Sequence, residues 1–273
     1  MPSLHAGASR PDGRPCPLAS SPTLQAIDSD TQSWRDGLLT EVTRAVIEAA
    51  LEAELTEHLR VGTDDLTGRR SGSNCRNGTR AKTVRTVVGP VTIDAPRDRW
   101  GTFQPVTVRK WQRRVSVLDQ LVLPLAAAGV TLEDSVELMS YAYGRAVSPR
   151  LLRTMAASVR ARMQRWHERR LPGSYHVVLL DRAVLRSRSV GAVARPVHTA
   201  VGVTADGQRG LLGLWMGPAR DPSHGWTEYV ARLRERGLQA VDAVVTDECA
   251  AVESALAALW PQAAVHLRAT HTG

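Results

Sequence analysis

Two carboxylates stand where buried-looking apolar runs end: Asp181 follows Val177-Val178-Leu179-Leu180, and Asp247 follows Val244-Val245-Thr246. Acids at the ends of strands can converge on one edge of a sheet. Phosphodiester chemistry needs such a pair, because Mg²⁺ is a hard ion that takes oxygen ligands. Two ions about 4 Å apart activate the attacking oxygen and stabilise the leaving one. An Asp after a strand also serves as turn chemistry or as a helix N-cap, which is the commoner use of either residue taken alone. Their joint placement favours the metal reading.

The second chemical signal is charge. The chain of 273 residues carries 35 Lys+Arg against 27 Asp+Glu, a net charge of +8. Between Arg60 and Gln120 there are 13 basic and 5 acidic residues, so this stretch holds the whole excess. A second basic knot runs from Arg145 to Arg170, with eight arginines and the single acid Glu168. Two basic zones separated by an apolar segment suggest a polyanion partner, most simply nucleic acid. A codon bias toward arginine is the alternative, since only Lys82 and Lys110 are lysines.

The elements that must position these groups follow from periodicity. Residues 1 to 33, rich in Pro, Ser and Gly, read as a disordered leader. Leu38 to Leu59 repeats apolar residues at spacings of three and four, an amphipathic helix. Gly62 to Arg80 reads as an exposed basic loop. Lys82 to Val88 and Val91 to Ala95 alternate around Gly89-Pro90 as a short β-hairpin, and Pro96-Arg97-Asp98-Arg99 leaves the sheet. A helix is expected from Val115 through Leu125, a second opening at Thr131 with Asp134 in a capping box, and a third from Ser148-Pro149 through Trp166. Three helices joined by tight turns, the last arginine-rich, suit a helix-turn-helix-like reader or an ordinary bundle.

After Pro172-Gly173 the pattern turns to strands: Tyr175 to Leu180, Pro196 to Val203 and Gly210 to Met216. A helix from Trp226 to Arg236, a strand from Val241 to Val245, a helix from Ala250 to Trp260 and a strand from Ala263 to Leu267 complete it. This is a ribonuclease-H-like order of strands and helices. The fold class is therefore α+β: a leader at 1–33, a helical basic DNA-binding region at 34–172 with a helix-turn-helix-like segment, and a partial mixed α/β domain at 173–273.

A specific resemblance joins these pieces. Arg76-Asn77-Gly78-Thr79-Arg80, Lys82-Thr83-Val84, Val88-Gly89, Ala95-Pro96-Arg97-Asp98-Arg99 and Gly101-Thr102-Phe103 resemble the signature block of the Mutator-type bacterial insertion-sequence transposases. Glu52-Ala53-Glu54-Leu55 and Glu57-His58-Leu59 resemble the segment before it. Val147-Ser148-Pro149, Ala200-Val201-Gly202-Val203, Leu212-Gly213-Leu214-Trp215, Trp226, Arg236-Gly237-Leu238 and Thr246-Asp247 then follow in the family's order. The resemblance covers roughly residues 38 to 271. It implies a DDE transposase, in which two Asp and one Glu hold divalent metal, Mg²⁺ or Mn²⁺, for cleavage at the element ends and for strand transfer.

By this resemblance Asp181 and Asp247 are the first two acids, both catalytic and metal-binding. The Glu-bearing helix is expected beyond the last strand, where the chain stops at Gly273, so the expectation is a truncated protein, inactive alone. Glu248 stands where the family has Gly, neither Glu248 nor Glu253 matches the third acid, and Arg268 stands where the family has Cys, while His271 matches. Two rivals remain: a truncated product that occupies element ends and represses transposition, and a nonfunctional remnant. The expected partners are double-stranded DNA, at the transposon ends and the target, and further copies of the chain. Arg76, Arg80, Lys82, Arg85, Arg150 and Arg153 are the expected contacts.

No run approaches the ~18–20 apolar residues of a membrane span. Cys16, Cys75 and Cys249 lie far apart and form no CxxC pair. These features point to a reducing cytoplasm, and the resemblance implies a bacterial, nucleoid-associated protein. The sequence contains no GxGxxG, Walker loop, HExxH or GxSxG, and His176, His198, His224 and His266 have no ligand spacing. Trp100, Trp111, Trp166, Trp215 and Trp226 can stack on bases, although packing is the commoner use.

Overall fold

The computed structural model describes residues 31–63, 74–86, 88–115, 121–185, 195–217, 225–246 and 249–267. The architecture is mixed α+β with two separate sheets. The chain forms two compact units, Arg35–Trp166 and Met1–Trp34 with His167–Gly273. The expected leader lies outside the described residues up to position 30, and its last three positions already belong to a helix.

In Arg35–Trp166 the first element is α1, Thr31–Thr63. It is longer than the expected Leu38–Leu59, and it is not a simple amphipathic helix. Val42, Val46, Ile47, Ala49, Ala50, Leu51, Ala53 and Leu55 are all buried, which surrounds the middle turns on most sides. Glu54 is buried among them. Its carboxylate accepts from the backbone N–H of Val106, from the N–H of Thr107 at 2.9 Å and from the Thr107 hydroxyl. That hydroxyl has spent its one proton, so the Tyr143 O–H donates to it at 2.8 Å. Burial pushes the Glu54 carboxyl above its ordinary range, against the downward pull of these hydrogen bonds. An acid in a helix thus fastens a loop and a later helix to the core.

The hairpin pairs β1, Arg76–Thr86, with β2, Gly89–Asp98, in an antiparallel register that sets Lys82 opposite Ile93 and Val84 opposite Val91. It is longer than expected at both ends. Residues Arg76–Arg80, expected in a loop, are in β1, and Pro96-Arg97-Asp98 stays in β2, because Thr79 and Arg80 pair with Pro96 and Ala95. Residues 64–73 of the expected loop lie outside the described residues.

Asp98 terminates β2 and organises the turn that leaves the strand. It is buried, and it accepts from Asn74 Nδ2 at 2.8 Å, Thr102 N at 3.0 Å, Thr102 Oγ1 at 2.7 Å and Phe103 N at 3.2 Å. Burial alone would raise its pKa, but these four donors outweigh it and hold the carboxyl well below the usual carboxylate range. A depressed native pKa adds stability that is fully present above the unfolded value, about 3.9, and is lost as pH falls through the native value. Asp98→Asn should therefore lower stability by about 1–3 kcal/mol at neutral pH. It should also flatten the fall in stability below about pH 4, as measured by denaturant titration across pH. An unchanged acid limb would show that this carboxylate is not the anchor.

The chain does not turn helical at Val115. Arg85 N donates to Arg113 O at 2.7 Å and Val115 N to Arg85 O at 3.1 Å, so residues 113–115 are held extended along β1. Of the expected first helix, the described residues show α2, Val122–Ala126, while residues 116–120 lie outside the described residues. The next helix, α3, Leu132–Tyr143, has the capping box: Asp134 N donates to Thr131 Oγ1 at 3.1 Å and Thr131 N to Asp134 Oδ2 at 3.2 Å. α4, Pro149–Glu168, starts with Leu151 N donating to Ser148 Oγ at 3.2 Å. Its Leu152, Met155, Val159, Met163 and Trp166 are buried, and the Ser158 hydroxyl donates to Ala49 O of α1 at 2.8 Å.

The other unit holds a five-stranded sheet: β3, Ser174–Leu185; β4, Arg195–Val203; β5, Arg209–Met216; β6, Ala240–Thr246; β7, Ala264–Leu267. The spatial order is β5-β4-β3-β6-β7. β3, β4 and β5 are antiparallel neighbours, while β6 is parallel to β3 and β7 to β6. α5, Trp226–Glu235, and α6, Cys249–Leu259, fall between strands as expected. Trp215 stacks on Tyr229 of α5 at 4.9 Å, and His198 meets the edge of Trp226 at 4.9 Å. A side chain at Gly213 would collide with the Trp215 ring, so only glycine fits there. Among the described residues, no helix is long and apolar enough to cross a membrane.

Candidate functional site

β3 brings Asp181 to the sheet, and it does so differently from the expectation that the strand ends there. β3 continues to Leu185 because β4 keeps pairing with it: Asp181 faces Thr199, Arg182 faces His198, and the register runs on to Leu185 opposite Arg195. The parallel partner stops sooner, at Leu180 opposite Thr246. Asp181 is thus the first residue beyond the last β3–β6 pair, at the carboxyl end of a parallel pair, where open α/β sheets usually bind ligands.

The facing of Asp181 follows from its neighbours. His198 packs on α5, Arg182 lies opposite His198, and successive strand residues point to opposite faces. Asp181 therefore lies on the face away from α5. It is 6% exposed, and the Thr199 hydroxyl donates to its backbone carbonyl at 3.4 Å. A shielded carboxylate offering hard oxygen atoms fits a divalent cation of the Mg²⁺ or Mn²⁺ kind.

Asp247 and Glu248 follow Thr246 in the sequence and lie outside the described residues, as do Arg268 and His271. Glu253 is exposed on α6. Among the described residues, no three His, Cys, Asp or Glu side chains gather as a metal cluster. His176 Nδ1 lies 2.9 Å from Asp242 Oδ2, His198 is fully buried, and His224 is outside the described residues.

The basic residues split by what they already hold. Arg76 forms an ion pair with Glu52 and donates to Thr56 Oγ1 at 2.8 Å. Lys82 gives its ammonium to Arg109 O at 2.7 Å, and burial lowers its pKa. Arg150 Nε lies 3.2 Å from Glu57 Oε1. Arg80, Arg85 and Arg153 are exposed, Arg85 using only its backbone to hold residues 113–115. All six belong to Arg35–Trp166. Trp166, Trp215 and Trp226 are packing anchors, whereas Trp100 is 38% and Trp111 94% exposed.

The roles of Glu54 and Asp98 went unrecognised in the sequence, where both belong to motifs read only for their family resemblance. Glu54 could have been found by spacing, since it stands seven residues after Ile47 and three after Leu51 on the buried side of α1.

Comparison with known proteins places this geometry. The family model described as "Transposase, Mutator family" matches residues 19–272. A probable transposase for an ISRM3-like insertion sequence element from Sinorhizobium fredii is 33% identical over 249 residues, 91% of this chain and 61% of that protein. The transposase for insertion sequence element IS905 from Lactococcus lactis is 31% identical over 229 residues, 82% of this chain and 58% of its own. The transposase for IS256 in transposon Tn4001 from Staphylococcus aureus is 25% identical over 226 residues. The chain spans about three-fifths of the length of the first two of these relatives.

Proposed function

Since the chain belongs to the Mutator family of transposases, we propose that it binds the ends of an insertion sequence through Arg35–Trp166 and contributes two acids to metal-dependent DNA cleavage and strand transfer. The observation carrying this reading is the final β3–β6 pair, Leu180 with Thr246, after which the next residues are Asp181 and Asp247. Adjacent strands lie about 4.8 Å apart, and the Cα after Thr246 is ~3.8 Å further on. On this reading Asp181 shares an ion with Asp247, which lies outside the described residues. The strand order β5-β4-β3-β6-β7, three antiparallel and two parallel, supports a ribonuclease-H-like reading of the sheet. α3, the short turn at Gly144–Ala146 and α4 support a helix-turn-helix-like reading.

Asp181 and Asp247 would hold Mg²⁺ or Mn²⁺, which when bound activates a hydroxyl for attack on phosphorus and stabilises the leaving oxygen. The chain's own part is to fix the first carboxylate by pairing Asp181 with Thr199 of β4, just past the end of the β3–β6 pairing, in a place mostly closed to water. Arg80, Arg85 and Arg153 are exposed and meet phosphates. Arg76, Lys82 and Arg150 join them by exchanging an internal partner for a phosphate, at some cost. Bringing two ends together calls for more than one copy of the chain.

A mobility-shift titration tests the DNA reading, using fragments that carry the element's terminal repeats beside unrelated fragments of equal length. Tighter binding to the repeats is expected. Equal and weak affinity for both would remove end recognition from the account.

A further inference from the structure

A groove of about 490 Å³ opens between the β1–β2 hairpin and the segment after β2, within Arg35–Trp166. Its lining includes Arg80, Lys82, Arg97, Lys110, Arg113 and Trp111. Among the described lining residues the one acid, Asp98, is buried and occupied by four donors, so this lining is strongly cationic. That volume falls within the ~300–1,000 Å³ of ordinary ligand sites.

Trp111 sets this groove apart from a merely basic surface. Its ring is 94% exposed, and its φ of 70° is the one positive value among the described non-glycine residues. A bulky side chain there is strained, and such strain persists only where the surroundings impose it. The surroundings do so on both sides. Gln112 N donates to Arg109 O at 3.1 Å, Arg109 N to Gln112 Oε1 at 3.1 Å, and Gln112 Nε2 to Arg114 O at 2.6 Å. Lys82 Nζ of β1 donates to Arg109 O of the turn at 2.7 Å, and Lys110 Nζ of the turn donates to Gly101 O at 3.2 Å. A strained backbone that holds an indole out into water gains nothing for folding.

We propose that this groove takes a single unpaired nucleotide of DNA, its base stacked on Trp111 and its flanking phosphates met by Arg80, Arg97 and Arg113. The inference rests on the DNA-binding reading proposed for this unit. A base inside an intact duplex has both faces covered by its neighbours, whereas an extrahelical base has a free face for an aromatic ring. The groove therefore favours DNA that is locally opened.

The test is the ratio of affinities of the intact chain for two duplexes, one fully paired and one identical except for a single bulged nucleotide, measured by fluorescence anisotropy. The bulged duplex should bind about 5- to 150-fold tighter, the span that removal of one base–aromatic stack usually covers. In Trp111→Gly the ratio should fall to near one. Glycine accepts a φ of 70° without strain, so this variant should melt no lower than the parent, which separates lost stacking from lost folding. Trp111→Phe should keep most of the preference.

A ratio near one in the parent, or an unchanged ratio in Trp111→Gly, overturns the groove proposal. If both duplexes still bind with steep salt dependence, the DNA-binding reading survives that failure. If neither duplex binds, both readings fall together.

Discussion

Asp181→Ala should lower metal-dependent DNA cleavage by at least about 100-fold, measured in this chain extended to the full length of a curated relative. The size follows from geometry: misplacing reacting groups by ~1 Å already costs about 100-fold, and losing a ligand leaves an ion under-coordinated. Asp181→Glu tests placement alone, since it keeps the charge but moves the carboxylate outward by one methylene from a site held by pairing to Thr199 on one side and by the end of β6 on the other. It should also be strongly impaired. Incubating labelled transposon ends with Mn²⁺ and resolving the products reads both. Full cleavage by Asp181→Ala would remove this residue from the reaction.

Removing three exposed charges together, Arg80→Ala, Arg85→Ala and Arg153→Ala, should weaken binding to a duplex end by about 500-fold at 0.1 M salt. Each phosphate contact contributes ~0.9 to the slope of log affinity against log salt. Loss of three makes the slope shallower by about 2.7 if the 1 M intercept is unchanged. The parent slope should lie near −5 to −7 for six to eight contacts. Arg76→Ala alone should change the slope less, because Arg76 already pairs with Glu52 and releases that partner only on binding. A parent slope near zero, or a triple variant with the parent's slope, would show that these arginines do not meet phosphate.

Legibility in the sequence tracked how locally each feature is determined. The second unit's strands and helices were readable to within a few residues, because strands covered on both faces appear as continuous apolar runs and the intervening helices keep their own period. The caps at Thr131 and Ser148 are local chemistry, and both form with the expected partners. What escaped depended on distant partners. Nothing near Asp181 indicates that β3 runs four residues further, since that extension is set by β4, some fifteen residues away. Residues Arg76–Arg80 look like a polar loop until Pro96 and Ala95 pair with them. Of the candidate site, the place of Asp181 after a buried apolar run was legible, but the internal ion pairs of Arg76 and Arg150 and the exposed Trp111 were not. Each is settled by packing rather than by residue type.

The central claim, that Asp181 and Asp247 share a divalent cation, is tested most directly by titrating the intact chain with Mn²⁺ and following the free ion by electron paramagnetic resonance. Asp181→Asn, Asp247→Asn and Asp206→Asn should be titrated in parallel, Asp206 being an exposed turn acid bonded to Thr204. The account predicts bound Mn²⁺ in the parent and in Asp206→Asn, and loss of that binding in each of the other two. Equal Mn²⁺ binding by all four proteins would contradict it.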